Sequence, residues 1–446
     1  MKKQLKIGAL LLLTAALTSG CGMRTVDQMY QVPRRSQAYS HVQKAMDAAM
    51  TGMEYSAPIS GENQQTVQLA DLDGDGVDEY LLFARGKAKT PLNVLIFDTD
   101  EDENCYLMDT VSLSGSVFER VEYVDVDEKP GLELVVGCQV SDQLMGSVGI
   151  YSFSAGSAEK LMATSYSKFL TCDLNQDEHS ELLVIRPSEA GASASPRAMA
   201  LEYEYKKGTM ERSIEIPLSA ANENVKRIVE GSLEGGTPAV YISNTVDTNF
   251  ADNSAIATDV LTVKDGTFVN LAADLKPVPA LRNYYVYAGD IDDDGVTELP
   301  GLIPMRPVLS RDASDNQFLL CWYSMDLQGE IHKKRYTVHD YAGGWYMELD
   351  PKWATRISAE KDGNSYQFFL WDKDGTKARS LFTLYMLTGS NRDQQAVEND
   401  RFPLYRKEGI VYAVELHKAA KGYGLTEEHM INSFHLIHQA WKTGET

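Results

Sequence analysis

Four nine-residue stretches concentrate the acidic side chains of this chain. They read DLDGDGVDE (71–79), DVDEKPGLE (125–133), DLNQDEHSE (173–181) and DIDDDGVTE (290–298). Each has Asp first, an aliphatic residue second, Asp or Asn third and Glu ninth. Alternate side chains of a tight loop converge on one point, and calcium takes six to eight oxygens in flexible geometry. The first copy offers Asp71, Asp73, Asp75, the Val77 carbonyl and Glu79. The last offers Asp290, Asp292, Asp294, the Val296 carbonyl and Glu298. Glycine at the sixth place of both permits the sharp turn. The third copy (Asp173, Asn175, Asp177 and Glu181) has Glu178 where that glycine would stand and ranks below them. The second has Lys129 at the fifth place, where an ammonium neutralises Asp125 and Asp127, so an empty or weak site is expected. Eighteen of the chain's 64 acids fall in these 36 positions. Solvation of surface turns gives no reason for that density or for fixed first and ninth places. The expected cofactor is Ca2+, held as a structural clamp.

The loops need elements to hold them. The copies begin 54 and 48 residues apart, then 117, about two periods. GSLEGGTPAVYI (231–242) lies in the long gap, with Leu233 at the aliphatic place and the acids nearly gone. It reads as a fifth copy that kept the structure and lost the metal site. YLLF, LVVG and LLVI follow the first three loops as β runs, whereas Pro300 makes the run after the last one shorter or an edge. Asn93–Asp98, Cys105–Ser112 and Phe118–Val124 complete a unit of four short strands. Such a unit cannot bury both faces of its sheet alone. The expected fold is mostly β: a propeller of about five four-stranded blades, within a range of five to seven. QTVQLA (65–70) is expected to complete the last blade and close the ring, with each acidic loop at a handover between blades.

The motif D-x-D-x-D-G-x-x-[DE] before a strand, at this period, resembles the FG-GAP or VCBS-type repeat of integrin-like propellers, over about 65–340. The resemblance implies calcium-binding loops and a propeller that serves recognition.

After about 340 the repeat stops. Strands are expected at 355–360, 365–371, 378–387 and 410–416, then a helix over Thr426–Lys442 capped by Thr426. This is the C-terminal α+β domain, 341–446, and its order of elements is similar to PsbP-like domains. Met430, Phe434, Ile437 and Trp441 share one helix face. His429, His435 and His438 read as rim residues more readily than as metal ligands. Trp345, Tyr346 and Trp353 read as packing more readily than as a glycan platform.

The N-terminus has a basic start and a short apolar run, the layout of a secretory signal over 1–20. LTSGC (17–21) resembles a bacterial lipobox, which implies lipidation of Cys21. Residues 21–37 follow as anchor and linker, and the span 38–340 holds a helix (Ala38–Met53) and the propeller. Net charge is −22, which disfavours nucleic acid, whose phosphates draw Lys and Arg. Cys138 and Cys172 are either a disulfide across adjacent repeats or buried free thiols. HExxH, GxSxG and a phosphate loop are all missing, so the expectation is no enzyme. The expected protein is an extracytoplasmic, membrane-anchored lipoprotein, attached to the membrane through its lipid. It serves as a recognition or scaffold module for a protein or glycan; the alternatives are an envelope assembly factor and, less favoured, a carbohydrate-active or hydrolytic propeller enzyme.

Overall fold

Strand pairing sorts the chain into six antiparallel sheets. The computed structural model describes residues 37–437 apart from 101, 141–144, 154–155, 190–195, 248–253, 274–280, 283–285 and 309–316. The signal segment, Cys21, His438 and Trp441 lie outside the described residues.

The first sheet holds β1 (Glu54–Tyr55), β2 (Val67–Ala70), β3 (Glu79–Arg85), β4 (Leu92–Thr99) and β5 (Cys105–Leu113). The second runs β6 (Val117–Val124), β7 (Glu133–Gln139), β8 (Gly146–Ser152) and β9 (Glu159–Tyr166). The third is β10 (Lys168–Cys172), β11 (Glu181–Pro187), β12 (Arg197–Lys206) and β13 (Thr209–Ala221). The fourth is β14 (Val225–Ser232), β15 (Pro238–Asp247), β16 (Ser254–Lys264) and β17 (Thr267–Asn270), with β18 (Leu281–Arg282) on β16. The fifth is β19 (Leu299–Pro304), β20 (Phe318–Met325), β21 (Ile331–Asp340) and β22 (Trp345–Glu348), extended by Phe434–Leu436. The sixth comprises β23 (Ile357–Asp362), β24 (Ser365–Trp371), β25 (Ala378–Thr388), β26 (Arg401–Lys407) and β27 (Ile410–Leu416).

This is the expected mostly-β propeller architecture, with its units in a different phase. Each acidic loop joins two strands of one sheet, β2 to β3 in the first and β6 to β7 in the second, and does not pass between sheets. Residues 67–70 pair with β3 of their own sheet, Val67 opposite Leu82, and do not complete the last blade. Short strands carry no mark of which neighbour they pair with, and the hydrogen bonds across the loop choose the nearer one. In the fifth sheet the first strand is reduced to a single bridge, Gly289 to Glu298, so β19 with its Pro300 is an edge, as that proline demands.

Because successive residues of a strand point to opposite faces, a strand between two neighbours must be apolar throughout. Leu81 and Phe83 face the second sheet, whereas Leu82 and Ala84 face helix α1 (Gln37–Ala49), which lays Val42 and Met46 on them. The pattern continues outward. Val135 and Ile150 meet Leu182 and Leu201 between sheets two and three. Ile185 and Leu183 meet Val240 and Leu261 between three and four. Tyr241 and Val260 meet Leu299 and Met325 between four and five. The largest core lies between five and six, where Leu319, Val338 and Trp345 pack on Phe368, Phe382 and Leu384. The boundary expected at 340 falls in the turn between β21 and β22 of one sheet. On the outer face of sheet six, Ala396, just past α2 (Arg392–Gln395), covers Val411 and Ala413.

The C-terminal helix α3 is shorter than expected, Glu427–Ser433, capped by the Thr426 hydroxyl that accepts from His429 N–H at 3.2 Å. Phe434–Leu436 then leaves the helix to pair with β22, Met347 opposite Phe434. Sheet pairing by an open edge outweighs the helical spacing there. The strand Arg401–Lys407 went unread because Pro403 marks it as irregular; it bulges at that proline on the sheet edge. Cys138 and Cys172 are free thiols, buried in separate cores. Trp345, Tyr346 and Trp353 are all buried, and packing is their role.

Phe83 and Phe118 meet edge to face at 5.1 Å across sheets one and two, both fully buried. Phe118→Ala is expected to lower unfolding stability by about 3–5 kcal/mol, read from urea denaturation; a loss below about 1 kcal/mol would mean that these sheets do not pack as described.

Candidate metal centres

The loop folds by one repeated hydrogen bond. Its ninth residue opens the second strand with the side chain turned inward, and that carboxylate accepts from the backbone N–H of the second residue. Glu79 Oε2 takes Leu72 N–H at 2.7 Å and Glu133 Oε2 takes Val126 N–H at 3.0 Å. Glu181 Oε2 takes Leu174 N–H at 2.8 Å and Glu298 Oε2 takes Ile291 N–H at 3.1 Å. All four glutamates are buried, at most 3% exposed, and the aliphatic residues whose amides they hold are buried too. The degenerate copy makes the same closure without an acid: Leu233 N–H donates to the Thr237 carbonyl at 2.8 Å. It kept the turn in a shorter loop.

The first aspartate closes the other half. Asp71 accepts from Gly74 N–H at 2.8 Å and Gly76 N–H at 3.0 Å. Asp173 accepts from Gln176 N–H at 2.6 Å and Glu178 N–H at 3.0 Å. Asp290 accepts from Asp294 N–H at 3.2 Å and Gly295 N–H at 2.9 Å. Gln176 and Glu178 adopt φ values of 64° and 75°, so the missing glycine of the third copy is met by strain.

Neighbouring loops are tied to each other. The eighth-place N–H of one loop donates to the first-place carbonyl of the loop before it: Leu132 to Asp71 at 2.9 Å, Ser180 to Asp125 at 2.7 Å and Thr297 to Ser232 at 2.9 Å. The fit is close. A Cβ on Gly74, at φ +78°, would stand 2.4 Å from Pro130 Cβ, and one on Gly131 would stand 2.4 Å from the Leu72 carbonyl oxygen. The Pro-Gly of the second copy is thus explained by contact with the first loop.

Three loops bring carboxylates together. Asp71, Asp73 and Glu79 each offer an oxygen within 4.8 Å of the others, as do Asp173, Asp177 and Glu181, and Asp290, Asp292 and Asp294. Asp75 and Glu298 fall outside these sets; Asp75 instead accepts from Val77 N–H at 2.8 Å. Asp294 does the same for Val296 at 2.9 Å. In the second loop Lys129 Nζ sits 3.0 Å from Asp127 Oδ2, the ammonium expected there.

The three sets differ in what already answers their charge. At the last loop two cations from β21 intrude. Arg335 Nε lies 2.7 Å from Asp292 Oδ2, and Lys334 Nζ 3.3 Å from Asp294 Oδ2. They were missed because 43 and 40 residues separate the partners; the run KKR (333–335) was the only signal. In the third loop Asn175 Nδ2 donates to Glu181 Oε1 at 2.7 Å, filling the position a cation would take. The first loop has no cation on its acids among the described residues. Among the described residues the buried Oε1 atoms of Glu79 and of Glu298 both lack a hydrogen-bond partner, a cost that a bound cation would remove, but only at Glu79 is the rest of the acid cluster free of an internal cation. The first loop therefore fits a hard divalent cation best, with Asp71, Asp73 and Glu79 as its ligands.

Burial, before any other cause, raises the carboxyls of Glu79, Glu133, Glu181 and Glu298 from 4.5 to about 7, and nearby loop aspartates push the same way. A carboxyl raised on folding favours the folded state below its unfolded value and loses that contribution as pH climbs through the folded one.

No family model matches the chain, and no curated protein does. Solved structures similar to it include the rhamnogalacturonan lyase YesW (11% identity over 72% of this chain and 76% of that one, TM-score 0.31). The Dos1 propeller matches at 10% identity over 81% of this chain and 89% of that one, TM-score 0.27. The exo-β-1,3-galactanase of Phanerochaete chrysosporium matches at 10% identity over 76% of this chain and 80% of that one, TM-score 0.24. These neighbours are propeller-like, and at such scores they carry no argument about activity. The expectation of no enzyme is corrected all the same. That expectation rested on missing motifs alone, and a lyase and a galactanase stand among the similar structures. Among the described residues no helix is long and apolar enough to cross a membrane.

Calcium at ten times its dissociation constant is expected to stabilise the protein by about 1.4 kcal/mol per site. Asp73→Ala should remove most of that increment and Asp127→Ala should leave it intact, read as melting temperature with calcium against EDTA. Equal responses of the two variants would defeat the ranking of the loops. Without metal, stability should fall as pH rises from about 4.5 through 7. Calcium favours the ionised glutamates, so its increment should be larger at pH 8 than at pH 5.5; an increment independent of pH would contradict the buried-carboxyl account.

Proposed function

We propose that the chain is an extracytoplasmic recognition module, carried on the membrane by lipid at Cys21, with calcium holding its first loop closed. The observation that supports this most directly is the use of the loop acids. Each buried glutamate holds a backbone amide, and each first aspartate that chelates two amides fixes a turn. These are duties of a scaffold. A partner protein or glycan then meets surfaces that the loops keep in register. Calcium, chosen over other hard cations, rests on the carboxylate-rich loop and its resemblance to FG-GAP and VCBS-type repeats. Lipidation rests on the LTSGC segment alone.

Two measurements test the reading. In the native host, Cys21→Ser should abolish incorporation of labelled fatty acid and move the protein from the membrane to the soluble fraction. Crosslinking of intact cells should then capture a discrete partner with the wild-type chain and lose it when EDTA opens the first loop. Capture that is unaffected by EDTA would detach recognition from the metal loops. No discrete partner under any condition would sink the proposal.

A further inference from the structure

The first strands of sheets two, three and four are edge strands, and their edges converge on a cavity of about 440 Å3. β6 contributes Glu119 and Arg120, β10 contributes Lys168 to Leu170, and β14 contributes Lys226 to Ile228. The segment 59–64 forms the remaining wall, held to β6 by Ser60 N–H donating to the Glu119 carbonyl at 2.8 Å. The volume is in the range of small-molecule sites, roughly 300–1,000 Å3.

Its charge runs against that of the chain. The protein carries −22, yet four cations, Arg120, Lys168, Lys226 and Arg227, line this cavity with one carboxylate. That carboxylate, Glu119, accepts from the Tyr166 hydroxyl at 2.6 Å. Arg120 is spoken for by Glu122. Among the described residues Lys226 Nζ donates only to a backbone carbonyl, that of Glu223, at 3.3 Å. Lys168 has no ion pair among the described residues. Arg227 is 6% exposed, and among the described residues its Nε and Nη1 atoms have no hydrogen-bond partner. A buried guanidinium with unmet donors is costly unless something answers it, and the Tyr287 ring at 5.5 Å answers only in part.

The placement is regular. Arg120, Lys168 and Arg227 each stand five residues before the first place of their acidic loop (Asp125, Asp173 and Ser232). Equivalent places on three successive first strands put the three cations at one height. At about 3.3 Å per residue this is roughly 17 Å from the acidic loops, so the two charges are well separated along the same strands. A recess lined by one sign of charge concentrates its counter-ion.

We propose that this cavity binds a small organic oxyanion whose carboxylate or phosphate is held by Lys168, Lys226 and Arg227. The inference rests on the reading of the propeller as a recognition module and names the ligand class that it recognises.

The test titrates the full mature chain, in calcium and low salt, with trigalacturonate, with glucose 6-phosphate and with uncharged maltotriose. Calorimetry is expected to show saturable binding of at least one anion and none of maltotriose, with affinity falling as sodium chloride is raised. Which anion binds distinguishes a uronate from a phosphorylated sugar. Lys168→Gln and Lys226→Gln should each weaken binding by about fivefold or more, with melting temperature unchanged. Arg227→Lys, which keeps the charge and loses the planar fork, should weaken it as well. The proposal is overturned if neither anion binds above the maltotriose control, or if both lysine variants bind as the wild type does. A partner still crosslinked in cells by the lysine double variant would leave the recognition reading standing while removing the cavity from it.

Discussion

The structure depends on one interaction made four times: a buried glutamate carboxylate accepting the N–H of a residue seven places earlier. That bond joins the start of the second strand to the end of the first. It lets an aliphatic side chain, Leu72, Val126, Leu174 or Ile291, drop into the core beneath the loop. A short polar side chain would not reach, and an apolar one would leave the amide unmet, which costs about 1–3 kcal/mol. The price of the arrangement is a carboxyl group in an apolar setting, and it shows in four glutamates raised to about 7. The degenerate loop at Leu233, where the Thr237 carbonyl replaces the carboxylate, shows that the bond is what the fold requires and the acid is one way to supply it.

A metal adds a second use of the same group. One oxygen of Glu79 holds the amide and the other is unmet, so a cation on Asp71 and Asp73 meets a ligand already in place. The other loops answer the charge from within the protein, by Lys129, by Asn175 or by Arg335 with Lys334. Three related loops thus show three ways of neutralising clustered carboxylates from within, and the first leaves its position open to a cation. Because the second, third and last loops each also donate an amide to the carbonyl of the loop before them, a change at one is felt by its neighbour.

Much of this was legible in the sequence. The period, the strands after the loops, the aliphatic second place and the decayed copy at Leu233 follow from residue types at fixed spacing. Lys129 could be read because its partner lies two residues away. What could not be read is pairing between distant segments. QTVQLA looks the same whether it joins the first sheet or the last. Arg335 carries no mark of Asp292. Phe434 and Ile437 fit a helix until the open edge of β22 offers hydrogen bonds to an extended chain. The C-terminal strands were placed nearly correctly, yet their union with the fifth sheet through Trp345 and Phe382 is a property of packing alone.

The same packing bears on how the sheets hold together. The outer face of the first sheet is covered by Val42 and Met46 of α1, and that of the sixth by Ala396. Among the described residues no core cluster joins the sixth sheet to the first. Cohesion is therefore a sum of contacts between neighbours, as in repeat proteins, where each junction must be sufficient in itself. Every junction has an apolar core, and those between sheets one, two and three and between four and five have the loop-to-loop hydrogen bond in addition. Between sheets three and four the shortened loop keeps its closure within itself, and the buried Asp259 on β16 takes over by accepting the N–H and hydroxyl of Ser219 from the third sheet. Where the repeat lost its acids, a different carboxylate spans the gap.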